Sequence, residues 1–391
     1  MFKRLPLAAA LLLTLTPAMA QTGSDIGDGA RKFNQLQHEL PTPNVYRSAT
    51  GEPGPAYWQQ QVDYVIDVAL DEKARRITGG ETIVYKNNSP HTLKYLWVQL
   101  DQNRFKKDSL AIRSETASTA QSRRASGGNG DSVSYNGLAR HFMLDDIDHG
   151  FSIKAVLDRD GKALPHTIVD TMMRIDLPVP LRPGRSTEFD IDWEFSLIKE
   201  DIIGGRGGYE HFPDNDTYIY FAAQWFPRMA ALTDYTGWQH KAFLGRGEFT
   251  LEFGNYDVNI TVPGDHLVAA TGVLSNPDDV LTKSQRDLLK QAETANKPIF
   301  IVTPKQAADN EKSGSNDQKT WKFSARNVRD FAWSSSRKYI WDAMGHIQDD
   351  AEMPLVMAMS FYPNEAEPIW SKYSTEAVIH TMDVYSRFSF A

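Results

Sequence analysis

Up to Val302 the chain mostly alternates between apolar and wetted positions. Val62, Tyr64, Ile66, Val68 and Leu70 occupy every second place, with Asp63 and Asp67 between them, the pattern of a strand with one face in water. Ile77, Gly79, Glu81, Ile83 and Tyr85 share a face of the next run, which closes on the turn residues Asn87-Asn88-Ser89-Pro90. Further strands are predicted over Leu93–Leu100, over Phe151–Leu157 before a turn at Asp160-Gly161, and over Met173–Leu177 before Pro183-Gly184. Phe189, Ile191, Trp193 and Phe195 interleave with Asp190, Asp192 and Glu194 in the cleanest alternation of all. Gly247–Phe253 and Tyr256–Val262 read as two strands flanking a Gly254-Asn255 turn, and Leu267–Thr271 and Phe300–Val302 follow. Short strands at regular spacing imply a mainly β fold, an antiparallel saddle-like or sandwich domain.

Three stretches depart from this pattern. From Ser109 to Asn136 the composition turns to Ser, Ala, Gly and Arg, which suits a surface loop. Thr282 and Gln285 have capping-box spacing ahead of Leu288, Leu289 and Ala292, predicting a short helix. Residues 305–319 read as a polar linker, after which the pattern changes. Trp321, Phe323 and Ala325 alternate as a strand, and Pro354–Phe361 is an apolar run of the length of a buried strand. Asn364 and Glu367 have capping-box spacing, while Trp370, Tyr373, Ala377, Val384 and Phe388 recur at helical intervals. A helix is predicted from near Ala366, with no Gly, Asn or Pro terminator before Ala391. The division expected is 1–20 a targeting segment, 21–56 an extended lead-in broken by prolines, 57–304 the β domain, 305–319 the linker, and 320–391 the start of a second, incomplete domain.

The 391 residues exceed one ordinary domain. A formal net charge of -8, with no basic block long enough to track a phosphate backbone, excludes nucleic acid as a partner. Lys3 and Arg4, the apolar run Leu5–Leu15, Pro17 and the small-x-small site Ala18-Met19-Ala20 form an export signal cleaved after Ala20; a retained anchor is the alternative. The expected location is therefore periplasmic or secreted. Nothing later is long and apolar enough for a transmembrane segment, and the absence of Cys leaves stability to the core.

Residue patterns that carry catalytic chemistry are sparse in this sequence. None of the ten His lies three or four places from another, so there is no paired-His zinc face. Glu376 and His380 are four apart on the last helix, as two ligands or as a solvated pair. Asp214-Asn215-Asp216 lacks the Gly and bidentate Glu of a calcium loop and reads as a turn. Gly204-Gly205-Arg206-Gly207-Gly208 lacks the strand-to-helix setting of a phosphate site and reads as a loop. No Gly-x-Ser-x-Gly elbow occurs, and there is no thiol. Tyr218–Met229 is a dense aromatic, Pro and Arg cluster of the kind that walls a cavity. Within it Gln224, flanked by Phe221, Trp225, Phe226 and Pro227, is the candidate substrate-binding residue, able to donate to and accept from an amine or carbonyl; a Gln satisfied by backbone is the other reading.

Three blocks of sequence resemble one family. Tyr64–Val68 with Gly80–Pro90, then Gly247–Pro263 with Val268–Gly272, then Asn327–Trp333, are similar in that order to parts of the aminopeptidase N family of zinc peptidases, the gluzincin aminopeptidases. The resemblance covers about 57–391. It implies a saddle-like β domain followed by a thermolysin-like α+β catalytic domain. In that family a zinc held by His-Glu-x-x-His and a downstream Glu activates water, and a Gly-x-Met-Glu-Asn strand binds the substrate's free amine. Neither motif occurs in these residues. The resemblance accordingly implies an N-terminal fragment of an exported zinc aminopeptidase acting on peptides, with zinc in the complete parent, no metal ligand or catalytic residue in this chain, and no activity of its own. Gln224 corresponds to the family's amine-contacting Gln or Glu. A stand-alone β-sandwich binding module and a catalytically dead homologue are the alternatives, and burial of Trp370, Tyr373 and Phe388 against the β domain would favour the first.

Overall fold

A computed structural model describes residues 43–114, 147–200, 206–245, 250–348 and 354–389. The targeting segment, most of the lead-in, most of the Ser/Gly-rich stretch and Gly204-Gly205 lie outside them. By density of contact the chain divides into residues 1–56 and 57–391. Within the first, the Asn44 side chain accepts from the amides of Tyr46 and Arg47, and Arg47 bridges to Pro53, giving a small closed turn.

The larger unit is mainly β, as its alternation predicts. Seven strands form its principal sheet, in the order Val273–Leu274, Gln318–Val328, Gly254–Pro263, Gln61–Asp71, Arg76–Lys86, Ser186–Ser196 and Ser152–Asp158. All its pairings are antiparallel except one: Gln61–Asp71 runs parallel to Gly254–Pro263, with Tyr64 beside Tyr256 and Val68 beside Ile260. The alternating residues do what their period requires. Tyr64, Ile66, Ile83, Ile191, Trp193, Val258 and Trp321 turn to one buried face, and the intervening Asp, Glu and Thr face water. Two four-stranded sheets accompany it, one of Arg228–Met229, Leu93–Gln99, Met172–Leu181 and His166–Val169, the other of Leu267–Ala270, Trp333–Ser336, Thr217–Ala222 and Gly208–Phe212. A further sheet, Ile299–Val302, Ile340–Ile347 and Leu355–Tyr362, carries the final helix, Ile369–Phe388.

Some expectations change. Gly254-Asn255 is no turn: it opens a ten-residue strand at a bulge. A Cβ on Gly254 would lie 1.5 Å from the Val62 carbonyl oxygen, so the glycine is there for a close backbone approach. Pro304–Asn310, expected in the linker, is a helix with its own capping box from Thr303 and Gln306. Gln318–Val328, expected as the first strand of a second domain, lies beside Gly254–Pro263 in the principal sheet. The capping box expected from Asn364 and Glu367 does not form; Asn364 Nδ2 donates instead to the Pro304 carbonyl, and the helix begins after Pro368. By contrast Thr282 and Gln285 cap Lys283–Ala292 reciprocally, as their spacing predicts.

Candidate functional site

The strand Thr217–Ala222 ends where Ala222 pairs with Trp333, and the chain then turns out of the sheet through Ala223 and Gln224. Gln224 has φ of +58°, a left-handed conformation rare outside glycine, and its side chain is half-buried. Immediately after it the chain dives back. Trp225 and Phe226 are fully buried, Trp225 against Trp193 and Trp333, Phe226 edge-on to Tyr64 and Tyr256. These rings pack into the core, and Phe221 and Trp225 of the same cluster also line a small cavity. Phe, Trp and Tyr carry so much apolar area that a sheet face this wide buries them first. The cavity beside Trp225 measures about 10 Å³, room for about one water, and Gln224 is not among its lining residues.

Polar groups lie beneath this segment. Arg228, 1% exposed, donates through Nη2 to buried Asp101 and through Nη1 to Asp330 Oδ2 at 2.6 Å, with Asp330 41% exposed. Burial lifts the Asp101 carboxyl above its ordinary value, against the pull of Arg228; the two carboxylates keep Arg228 charged, outweighing its own burial. Asp330 Oδ1 accepts from the Phe331 amide, and Trp225 Nε1 donates to the Phe331 carbonyl at 2.8 Å. The Met229 amide donates to the Tyr64 hydroxyl at 2.9 Å, and burial raises that phenol well above its usual range. The structure therefore brings Gln224–Arg228 into contact with the Asn327–Trp333 block.

Two other carboxyls belong to the same interior. Glu81 sits at a core-facing position of Arg76–Lys86, and neither of its oxygens has a hydrogen-bond partner among the described residues; burial raises it well above 4.5. Glu252 is pushed up to about 7 by burial, although it accepts from the Leu232 amide at 2.9 Å and Arg329 is nearby. Sequence reasoning missed these groups as a set. The phase of Glu81 among Ile77, Gly79, Ile83 and Tyr85 was a usable signal; Asp101, Arg228 and Asp330, more than one hundred residues apart, offered none.

The other candidates resolve simply. Among the described residues no group of three His, Cys, Asp or Glu side chains could hold a metal. Glu376 and His380 are both exposed on the last helix, so the residues present do not fit the zinc that the family resemblance implies. Asp214–Asp216 is a turn whose Asp216 Oδ1 accepts from Tyr218 and lies 3.0 Å from His211 Nε2. Gly208, at φ of +140°, packs where a Cβ would sit 2.2 Å from the Ile198 carbonyl oxygen, which explains one glycine of the run without an anion. Among the described residues no helix is long and apolar enough to cross a membrane.

No protein-family model and no curated protein matches the chain. Among solved structures it is similar to an M1 zinc metallopeptidase from Deinococcus radiodurans, at 11% identity and a TM-score of 0.43, over 86% of this chain and 55% of that one. It is also similar to a two-domain M1 zinc metallopeptidase variant bound to L-tryptophan, at 12% identity and a TM-score of 0.45, over 87% and 56%. A form from D. radiodurans bound to a Tyr-Ser-Ala substrate matches at 11% and 0.43, over 85% and 54%. The chain spans little more than half the length of these structures.

Proposed function

We propose that the chain is the N-terminal, noncatalytic portion of an exported zinc-dependent aminopeptidase, a hydrolase that removes N-terminal residues from peptides. In this reading the β unit is the scaffold, Gln224 contacts the substrate's free amino end, and zinc and hydrolysis belong to residues outside these 391. The observation that carries it is the final helix. Of its 20 residues only Thr375 is buried, while Trp370, Tyr373, Val378, Tyr385 and Phe388 are exposed, the last by 80%. Apolar side chains at helical spacing, left in water beside a small sheet, call for more protein over them. A stand-alone binding module would have folded Trp370, Tyr373 and Phe388 onto its own core.

The purified 391-residue chain is expected to release no anilide from an aminoacyl-p-nitroanilide, with or without added zinc. The product of the same reading frame extended past Ala391 is expected to hydrolyse it and to lose activity on chelation. Zinc-dependent hydrolysis by the shorter chain, or an inert longer one, would overturn the proposal. Export is proposed on the signal segment alone, and a mature N-terminus other than Gln21 would contradict it.

A further inference from the structure

We infer that Asp330 is a positioning residue for Gln224; the inference rests on the proposed function and concerns the same site. Gln224 stands in a left-handed backbone conformation that side chains other than glycine rarely adopt, and both flanks of the residue are fastened to one short segment. Upstream, Ala222 pairs with Trp333 and Phe221 with Ser334. Downstream, the Trp225 indole N–H donates to the Phe331 carbonyl at 2.8 Å and Arg228 Nη1 donates to Asp330 at 2.6 Å. Residues 330–334 therefore grip the chain before and after Ala223-Gln224 and hold those two residues out of the ladder.

Charge supports the assignment. Asp101 and Asp330 together keep Arg228 charged in the core, but only Asp330 also belongs to the segment that Trp225 and Ala222 contact. What Asp330 adds is direction: its Oδ2 fixes one arm of the guanidinium fork while its Oδ1 accepts from the Phe331 amide. Asp330 is itself 41% exposed, so its removal leaves no deeply buried hole.

The test uses the extended, hydrolytically active protein with Asp330→Ala, Asp330→Asn and Gln224→Ala. Asp330→Ala is expected to raise KM for an aminoacyl anilide about tenfold with kcat within about twofold, and Asp330→Asn, which keeps an acceptor for the Phe331 amide, to recover some of that loss. Combined with Gln224→Ala it is expected to add little, because both act through one contact. In the 391-residue chain, amide exchange at residues 223–226 is expected to rise about tenfold in Asp330→Ala while the principal sheet stays protected. An unchanged KM, fully multiplicative effects in the double variant, or exchange rising equally everywhere would each overturn the inference. A wild-type protein without hydrolysis would overturn the functional proposal instead, and the exchange result would still decide whether Asp330 holds this segment.

Discussion

Replacing Glu81 by Met should make the protein more stable, although it deletes an ionisable residue. Glu81 is 3% exposed on the inner face of the principal sheet, between Ile66 and Ile191 on the neighbouring strands, and both its oxygens lack partners among the described residues. A carboxylate there would be too costly to keep ionised, so the group is held neutral, with a value raised well above 4.5 by burial. The linkage has a definite sign. The unfolded chain ionises near 4.5 and the folded one does not, so stability is lost as pH rises from the unfolded value towards the folded one. Between those two values the slope is about 1.4 kcal/mol per pH unit. Burying an unbonded polar group adds about 1–3 kcal/mol to the penalty. Met has a similar length and neither cost, so Glu81→Met should gain at least about 1–3 kcal/mol, and more as pH rises above 4.5. Urea denaturation of the 391-residue chain, followed by tryptophan fluorescence between pH 5 and 7, measures both variants. Their stabilities should converge towards pH 5 and separate at higher pH. Parallel curves, or a less stable variant, would mean that Glu81 has a partner and that the reasoning fails.

The same measurements test substitutions at three more positions. Gly254→Ala drives a Cβ into the Val62 carbonyl at 1.5 Å and must push neighbouring central strands apart; a loss above about 3 kcal/mol, or no folded protein, is expected, and a normal denaturation midpoint would contradict the close approach. Gln224→Gly relieves the left-handed residue and should stabilise by up to about 1 kcal/mol, whereas Gln224→Ala should not; equal effects would show that the conformation is unstrained. Glu252, raised to about 7 by burial, should likewise lose stability between pH 4.5 and 7, by up to about 3 kcal/mol before screening at its exposed edge. Glu252→Gln should remove that dependence, and an unchanged pH profile would exclude Glu252 as its source.

Most strands were legible because one face of each is wet and the other is not. Phe189, Ile191, Trp193 and Phe195 are all buried, as their alternation requires. The Thr282–Gln285 cap was legible for a similarly local reason, its partners being three residues apart. The identical Thr303–Gln306 signal was equally readable but ran into the stretch 305–319, whose polarity suggested a linker. Gly254 misled because Gly-Asn is ordinarily a turn, and the contact that demands glycine comes from Val62, far away in sequence. The aromatic cluster was legible only in part: composition shows that Trp225 and Phe226 will be gathered with other rings, but core and cavity wall have the same composition, and Trp225 serves in both. The left-handed turn at Gln224, and the grip of Trp333 and Ser334 before it and of Asp330 and Phe331 after it, depend on tertiary contacts, which no window of sequence contains.

The later stretch of the chain is fastened to the β unit through adjacent buried cations. In the turn after Trp333–Ser336, Arg337 reaches Glu72 at 2.8 and 2.6 Å and Asp265 at 2.9 Å, tying together two other turns. Lys338, with its side chain wholly buried, contacts Glu365 at 2.9 Å and Glu311 at 3.3 Å and lies over the Phe212 ring. Buried ion pairs recover little net stability after desolvation, but removing either partner is expensive, so they favour one arrangement over its neighbours. Asp342 continues the same logic at the helix, accepting from Thr375 and Tyr362. Glu311, in the stretch first read as a linker, is one of the groups so tied. The final helix is thus tied to the sheet beneath it through Asp342 and Thr375, and the same stretch of chain is tied to turns of the β unit through Arg337 and Lys338.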